Sequence, residues 1–146
     1  MISQKAKYAL RALTHLARGG TAMTTAEIAL AQAIPRKFLE QILLEMKRDG
    51  ILQSRRGKLG GYALLRPAEE ITFGRVLRLI DGPIAPLPCL SRIAYRRCED
   101  CVEEDSCEIR RVFARVAESA RDVLDRTTVA DALASAAADP VADLVA

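Results

Sequence analysis

The sequence predicts a mainly α-helical fold, a winged helix-turn-helix with a small β-hairpin wing and a long C-terminal dimerisation helix. Three amphipathic segments follow one another within the first 50 residues, and a glycine-centred hairpin pattern comes directly after the third. A long segment with one apolar stripe then begins at Cys107. The 146 residues are enough for one domain, and the lack of Trp indicates a core of Leu, Ile, Val and Ala.

The first two helices are predicted from apolar spacing and from end signals. Residues 4–18 carry apolar side chains on a period of about 3.6 residues, and Gly19 and Gly20 end that helix. The second helix begins in "TTAEIALAQA", where Thr24 and Glu27 have the spacing of a capping box. A longer helix and a shorter one therefore open the chain.

A third helix is predicted in "IPRKFLEQILLEMKRDG", with Pro35 in its first turn and Gly50 at its end. Next, "ILQSRR" and "GYALLR" flank the tip "GKLG" and predict the hairpin. "ITFGRVLRLIDG" predicts a fourth helix that ends at Gly82, after which the three prolines of "PIAPLP" exclude regular helix. The apolar face of the third helix is predicted to consist of Phe38, Leu39, Ile42, Leu43 and Met46.

The segment from Cys107 to about Thr127 is predicted to be a long helix with a single apolar stripe. Helix four already closes the preceding domain, so the stripe needs a partner surface, and we favour a second copy of the chain. The alternative is that the long helix folds back on the chain's own first helix. The predicted dimer residues are Ile109, Val112, Phe113, Val116, Ala120, Val123 and Leu124.

Charge is distributed unevenly along the chain, although the net charge is only +3. Residues 1–80 contain 14 Lys and Arg against 6 Asp and Glu, whereas residues 81–146 contain 8 against 13. The basic half suits a polyanionic partner, and the alternative is that these charges only keep helix faces solvated. Charges also interrupt the N-terminal segment, so we expect no signal peptide, no membrane span and a cytoplasmic protein.

Positive residues fall at the two places where a winged helix-turn-helix meets DNA. The start of the third helix is the part that enters a major groove, and a glycine-rich wing tip lets the backbone approach a narrow minor groove. Double-stranded DNA is therefore the predicted partner, although an ordinary solvated charge is the alternative for any single arginine. The predicted DNA-contacting residues are Thr25, Pro35, Arg36, Lys37, Glu40, Gln41, Arg55, Arg56, Lys58, Gly60 and Tyr62.

All four cysteines, Cys89, Cys98, Cys101 and Cys107, lie in the segment "CLSRIAYRRCEDCVEEDSC". In a reducing compartment such a group indicates a metal or redox site rather than structural disulfides. The spacing leaves zinc, an iron–sulfur cluster, a metal-free thiol switch and inert surface thiols open. An enzyme is not expected, because the sequence offers no nucleophile with a base, no paired carboxylates and no βαβ pattern before the CxxC pair.

The segments "KYALRALTHLA", "FLEQILLEMKRDGIL", "SRRGKLGGYALLRPAEEIT" and "VLRLIDG" resemble the IscR-type winged-helix transcription regulators, the Rrf-two family. The resemblance covers most of the chain and implies a homodimer that represses or activates promoters. It places Glu40, Gln41 and Arg56 at positions that contact bases or grooves. It also implies a sensor of iron–sulfur clusters, nitric oxide, iron status or cysteine metabolism.

The resemblance favours an iron–sulfur cluster with two irons or four. Cluster-binding members place three cysteines between helix four and the long helix, with five residues between the last two, as between Cys101 and Cys107. Their fourth ligand is an acidic residue or a histidine, and the matching positions here are Lys7 and Arg110, which do not ligate iron. We therefore hypothesise ligation by all four cysteines, with zinc or no metal as alternatives and with His15 as a structural residue.

The predicted organisation has four parts. They are a winged helix-turn-helix DNA-binding domain over residues 1–82, a cysteine-containing sensor loop over 83–106, a dimerisation helix with a short following segment over 107–134, and a flexible tail over 135–146. Ordering of the sensor loop is expected to change the spacing of two recognition helices in a dimer. Half-site spacing of about one helical turn makes DNA binding sensitive to such a change.

Overall fold

Six α-helices and one two-stranded antiparallel hairpin make up the computed structural model, which describes residues 2–135. The predicted winged helix-turn-helix is confirmed, and the predicted tail lies, apart from Ser135, outside the described residues. None of the helices within residues 2–135 combines the length and apolarity of a membrane span. The elements are α1 (Gln4–Gly19), α2 (Thr25–Gln32), α3 (Arg36–Arg48), β1 (Leu52–Arg55), β2 (Gly61–Leu64), α4 (Phe73–Asp81), α5 (Glu108–Arg126) and α6 (Val129–Ser135), with one-turn 3-10 helices at Ala68–Glu70 and Pro88–Leu90.

The ends of α2 and α3 follow from the residues that the sequence places there. The Thr24 hydroxyl accepts a hydrogen bond from the Glu27 N–H at 3.2 Å, and the Glu27 carboxylate accepts one from the Thr24 N–H at 2.7 Å. This reciprocal pair is the predicted capping box, and its hydrogen bonds lower the pKa of the Glu27 carboxyl. Pro35 stands at the N-cap of α3, one position before the first turn.

The central helix of the fold is α1, which packs against α2, α3, α4 and α6. Three small side chains, Ala6, Ala9 and Ala12, are fully buried and let the neighbouring helices approach closely. Phe38 lies at the edge of the predicted apolar face of α3, where its side chain is 36% exposed and packs edge-to-face against the half-buried Tyr8. The rest of that face is buried as predicted, namely Leu39, Ile42, Leu43 and Met46.

The wing is anchored to the helical domain through its backbone. The two strands pair in antiparallel register, with Arg55 opposite Gly61 at the tip end of the ladder. The Met23 N–H donates to the Tyr62 carbonyl at 2.9 Å, and the Tyr62 N–H donates to the Met23 carbonyl at 2.7 Å. The base of the wing is therefore held to the segment that precedes α2.

Replacing Gly61 by alanine is expected to destabilise the protein. Gly61 has a φ of +131°, and a Cβ added there would lie 2.3 Å from the Met23 carbonyl oxygen. Gly57→Ala is the matched control, because Gly57 also has a positive φ, +99°, but no atom lies within 4 Å of its added Cβ. Urea unfolding should show a loss of about 1 kcal/mol for the control and at least about 2 kcal/mol more for Gly61→Ala. Equal losses would contradict the close backbone contact.

The segment after α5 forms a sixth helix that the sequence reasoning did not predict. The Asp131 N–H donates to the Thr128 hydroxyl at 3.0 Å, and the Thr128 N–H donates to the Asp131 carboxylate at 2.9 Å, which lowers the pKa of Asp131. Val129 is fully buried in the same core as α1 and α3, and its N–H donates to the Ile71 carbonyl at 2.8 Å. The chain after α5 therefore returns to the helical domain.

Candidate nucleic-acid interface and cysteine site

The N-terminal turns of α3 present a polar face to solvent. Pro35, Arg36, Lys37, Glu40 and Gln41 are all exposed, while the opposite face of the helix is buried in the core. Arg36 and Glu40 form an exposed salt bridge of 3.2 Å across one helical turn. Exposed pairs of this kind contribute little to stability, so both side chains are available to a partner.

The wing tip carries three exposed basic side chains, Arg55, Arg56 and Lys58. None of the three forms a salt bridge within the described part of the chain, so their charges are available to phosphate groups. The Gly60 N–H donates to the Gly57 carbonyl at 2.9 Å and closes the tip. A Cβ added at Gly60 would lie 2.5 Å from the Arg55 carbonyl oxygen, so the turn requires glycine at that position.

Thr25 and Tyr62 lie outside the exposed wing tip. Thr25 is the first residue of α2 and is half-buried, and Tyr62 is half-buried on β2. A cavity of about 410 Å³ at the start of α2 is lined by residues that include Thr24, Arg55 and Lys58. The structure therefore places the wing tip next to the N-terminus of α2.

Arg56→Ala is expected to weaken DNA binding about tenfold or more. It should also lower the slope of log Kd against log salt concentration by about 1 for each phosphate that is no longer neutralised. The side chain is exposed and pairs with no acidic residue in the described chain, so the fold should be unchanged. Arg66→Ala is the matched control, because Arg66 is exposed outside the wing and lies 3.8 Å from Glu70. Fluorescence anisotropy at several salt concentrations measures both quantities, and an unchanged slope for Arg56→Ala would remove the wing from the binding surface.

The four thiols line one cavity of about 480 Å³, to which the second 3-10 turn, the following loop and the first turn of α5 contribute. Cys89 is buried, and Cys98 and Cys101 are half-buried in a tight turn closed by a 3.2 Å hydrogen bond from the Cys101 N–H to the Cys98 carbonyl. Cys107 is the N-cap of α5, and its Sγ accepts a hydrogen bond from the Arg110 N–H at 3.4 Å. The structure thus brings the four predicted ligand residues to one cavity.

Neighbouring groups set the electrostatics around the thiols. Burial, together with the nearby Cys89 and Cys101, raises the pKa of the Cys98 thiol. The Arg97 guanidinium donates to the carbonyls of Cys101 and Val102 at 3.1 and 2.9 Å. The neighbouring Cys101 raises the pKa of Arg97. The Cys98 thiol is therefore favoured in its neutral form, and Cys101 lies beside the permanent cation of Arg97.

Four thiols around one cavity match the donor set of both zinc and an iron–sulfur cluster. Within residues 2–135, no three Cys, His, Asp or Glu side chains are gathered closely enough to hold a metal ion. Binding of a metal ion or a cluster would therefore require the loop to bring its thiols closer together. Neither Lys7, exposed on α1, nor the half-buried His15 is among the residues that line the cavity.

Both ends of the cysteine loop are fixed to α5. At one end Cys107 caps the helix, and at the other the Arg121 guanidinium donates to the carbonyls of Ile84 and Leu90 at 3.1 and 2.6 Å. Leu90 directly follows Cys89 in the chain. The cysteine loop is therefore in direct contact with both the first turn of α5 and its second half.

An ion pair joins α5 to α4. The Arg78 guanidinium donates to both carboxylate oxygens of Asp125 at 2.5 and 2.8 Å, which raises the pKa of Arg78 and lowers the pKa of Asp125. A Cβ at Gly74 would lie 2.0 Å from Asp125 Oδ1, so glycine leaves room for this contact. The helix that begins at the cysteine loop is thus connected to the helical domain.

Most of the apolar stripe of α5 is left exposed by the described chain. α5 packs against α4 and the second 3-10 turn through the side that carries the buried Ala117, next to the stripe. The alternative in which the stripe folds back on α1 is therefore not what the described chain adopts. Five stripe residues are 40–62% exposed, namely Ile109, Val112, Phe113, Val116 and Val123. The other two, Ala120 and Leu124, are half-buried.

Sequence reasoning missed the roles of three arginines around the cysteine loop. Arg97 and Arg121 hold loop carbonyls, and no local sequence signal marks either of them. Arg110 was considered only as a residue that cannot ligate iron. Its position three residues after Cys107 on a helix was a usable signal, because residues three apart share a helix face.

A helix with an exposed basic start, a basic wing and an uncovered apolar helix together define a winged helix-turn-helix DNA-binding regulator. Residues 2–135 match the family model Rrf2, described as iron-dependent transcriptional regulator. The chain belongs to the Rrf2 family. The expectations of a transcriptional regulator and of a protein that is not an enzyme are confirmed by this membership.

Similar proteins agree with this assignment. The chain is 47% identical over 150 residues to a Rhodobacter capsulatus protein named as an rrf2-like HTH-type transcriptional regulator, and the match covers 99% of each chain. Its structure is similar to CymR, the global cysteine regulator of B. subtilis, with a TM-score of 0.74, 31% identity and 90% and 94% of the two chains covered. It is also similar to IscR of T. potens, with a TM-score of 0.72, 28% identity and 93% and 88% covered.

Proposed function

We propose that the protein is a homodimeric, sequence-specific regulator whose DNA affinity is set by an iron–sulfur cluster held by Cys89, Cys98, Cys101 and Cys107. The observation that carries this proposal is that all four thiols line one cavity at the start of α5. Similarity to IscR of T. potens and the description of the matched family support it. With all four cysteines as ligands, the chain needs neither the acidic residue nor the histidine that Lys7 and Arg110 replace.

On the DNA side, the proposal assigns α3 to the major groove and the wing to the adjacent minor groove. The exposed side chains of Arg36, Lys37, Glu40 and Gln41 would meet base edges and phosphates, and those of the wing tip would enter the narrower groove. A two-fold dimer joined by the α5 stripes would present two such units to half-sites about one helical turn apart. Because its target is chromosomal DNA, we place the protein in the cytoplasm.

The chain's own residues provide the connection between the cysteine loop and the DNA-reading unit. A bound cluster would supply a redox-active group that can be gained, oxidised or lost. Cys107 begins α5, Arg121 holds the loop near Cys89, and the Arg78–Asp125 ion pair joins α5 to α4. Loop ordering would therefore change the angle between α5 and the reading unit, and so the distance between the two recognition helices.

A second candidate is a thiol-based switch without a cluster. Cys89 and Cys98 line the same cavity, no three ligands are gathered in residues 2–135, and CymR is a structural neighbour. A disulfide formed in this loop would act on α5 through the same contacts. Zinc held by the same four thiols is the remaining alternative, since zinc also takes thiolate ligands.

Anaerobic purification with metal analysis distinguishes these candidates. The proposed function predicts a brown protein with visible absorbance and with iron and acid-labile sulfide in stoichiometric amounts. A colourless protein with one zinc per chain would replace the cluster by a zinc site. A colourless, metal-free protein whose thiols oxidise reversibly to a disulfide would support the thiol switch instead.

A further inference from the structure

One side-chain nitrogen in the part of the chain that the structure describes, Nε of Arg110, is buried without a hydrogen-bond partner. Arg110 lies in the first turn of α5 and lines the cysteine cavity. Its Nη2 is 3.9 Å from a Glu104 carboxylate oxygen, so the end of the guanidinium has a partner while Nε has none. Leaving a buried donor unsatisfied destabilises the folded chain, so this position calls for an acceptor.

The Cys107 sulfur is an acceptor close to Arg110 in the chain, and both residues line the cavity. The backbone N–H of Arg110 already donates to Cys107 Sγ at 3.4 Å, so the side chain and this thiol lie on the same helical turn. The other guanidinium near the thiols, that of Arg97, is already engaged by the carbonyls of Cys101 and Val102. Arg97 is not among the residues that line the cavity, whereas Arg110 lines it and has a buried Nε–H without a partner.

Charge leads to the same conclusion. Acidic residues also line the cavity, namely Asp100, Glu103, Glu104 and Glu108. Four thiolates would add further negative charge, and anionic sulfur in a partly buried site requires compensation by a cation or by hydrogen bonds. Among the residues that line the described cavity, only Arg110 carries positive charge. Its guanidinium can compensate the site in both ways, through its charge and through the Nε–H.

We propose that Arg110 donates its Nε–H to sulfur at the cysteine site and thereby raises the reduction potential of the cluster. This inference rests on the proposed function. The reduced state carries one more negative charge, so a cation and a hydrogen bond to sulfur stabilise it more than the oxidised state. Arg110, which cannot ligate iron, thus affects the reduction potential of the cluster instead.

Redox titration of the full-length, cluster-loaded protein tests this inference. Arg110→Gln removes the charge and the Nε–H, Arg110→Lys keeps the charge but lacks Nε, and Arg115→Gln removes a charge from an exposed position of α5 that does not line the cavity. Each electron added to the site comes from dithionite, which is oxidised to sulfite, and visible absorbance follows the reduction.

For Arg110→Gln we expect the ratio of reduced to oxidised protein at a fixed potential to fall about tenfold, equivalent to about 59 mV for a one-electron couple. Arg110→Lys should show a smaller decrease, and Arg115→Gln should match the wild type. Equal ratios for Arg110→Gln and the wild type would overturn the inference and leave the cluster assignment intact. Wild-type protein without iron and sulfide would overturn the proposed function, and this inference with it. If Arg110→Gln does not retain a cluster, Arg110→Lys decides: a decreased ratio supports the inference and an unchanged ratio overturns it.

Discussion

Replacing Val116 by aspartate is expected to convert the protein from a dimer to a monomer and to weaken its binding to a two-half-site duplex by about 10²–10⁴-fold. Val116 lies in the middle of the α5 stripe and is 51% exposed in the single chain, so the protomer's own core does not depend on it. In a two-fold interface the same position occurs twice, and each copy would bury an unpaired carboxylate. A monomer reaches one half-site only and loses the gain from bivalent binding.

Leu65→Asp is the matched control for this experiment. Leu65 is 52% exposed and lies outside the stripe, so the same chemical change at the same exposure should leave the dimer intact. Analytical ultracentrifugation gives the oligomeric state, and anisotropy with a duplex selected from a random pool by the wild-type protein gives the affinity. A Val116→Asp protein that remains a dimer would show that the stripe is not the dimer interface.

Cys101→Ala is expected to abolish visible absorbance and to change the affinity for the selected duplex by at least about tenfold, or about 1.4 kcal/mol. Cys101 supplies one of the four thiols of the cavity and lies beside the Arg97 guanidinium. Its loss leaves three thiols, and the positions from which relatives draw a non-cysteine ligand hold Lys7 and Arg110. No other residue of the described cavity can complete a four-thiol site.

Ser106→Ala provides the comparison within the same loop. Ser106 also lines the cavity but offers no thiol, so its replacement should leave absorbance and affinity unchanged. Loss of absorbance in Cys101→Ala with unchanged affinity would separate the cluster from DNA binding. Retained absorbance would exclude Cys101 as a ligand.

Most of the fold could be predicted because its signals are local. Helix periodicity, the capping box at Thr24 and Glu27, and the glycine-rich hairpin each lie within a few residues of the element they define. Burial of Leu39 and Ile42 follows from the same 3.6-residue period. Phe38 follows the same period but lies at the edge of that face, where its ring packs on Tyr8 near the surface.

The remaining features depend on contacts between distant residues. The signal for α6 was present, since Thr128 and Asp131 have capping spacing, but burial of Val129 against α1 decides the helix. Local spacing identified the four cysteines as a group without showing that they share a cavity. The partner of Arg121 lies 31 residues away, at Leu90, and no periodic pattern reports such a contact.

The central claim is that the state of the cysteine loop sets DNA affinity, and one titration tests it most directly. Wild-type protein is divided anaerobically into a cluster-loaded sample and a sample stripped with a chelator, and each is titrated against duplexes selected by either form. The account predicts that the two samples differ by at least about tenfold in Kd on one duplex while both remain dimers. Equal Kd values on every selected duplex would contradict it.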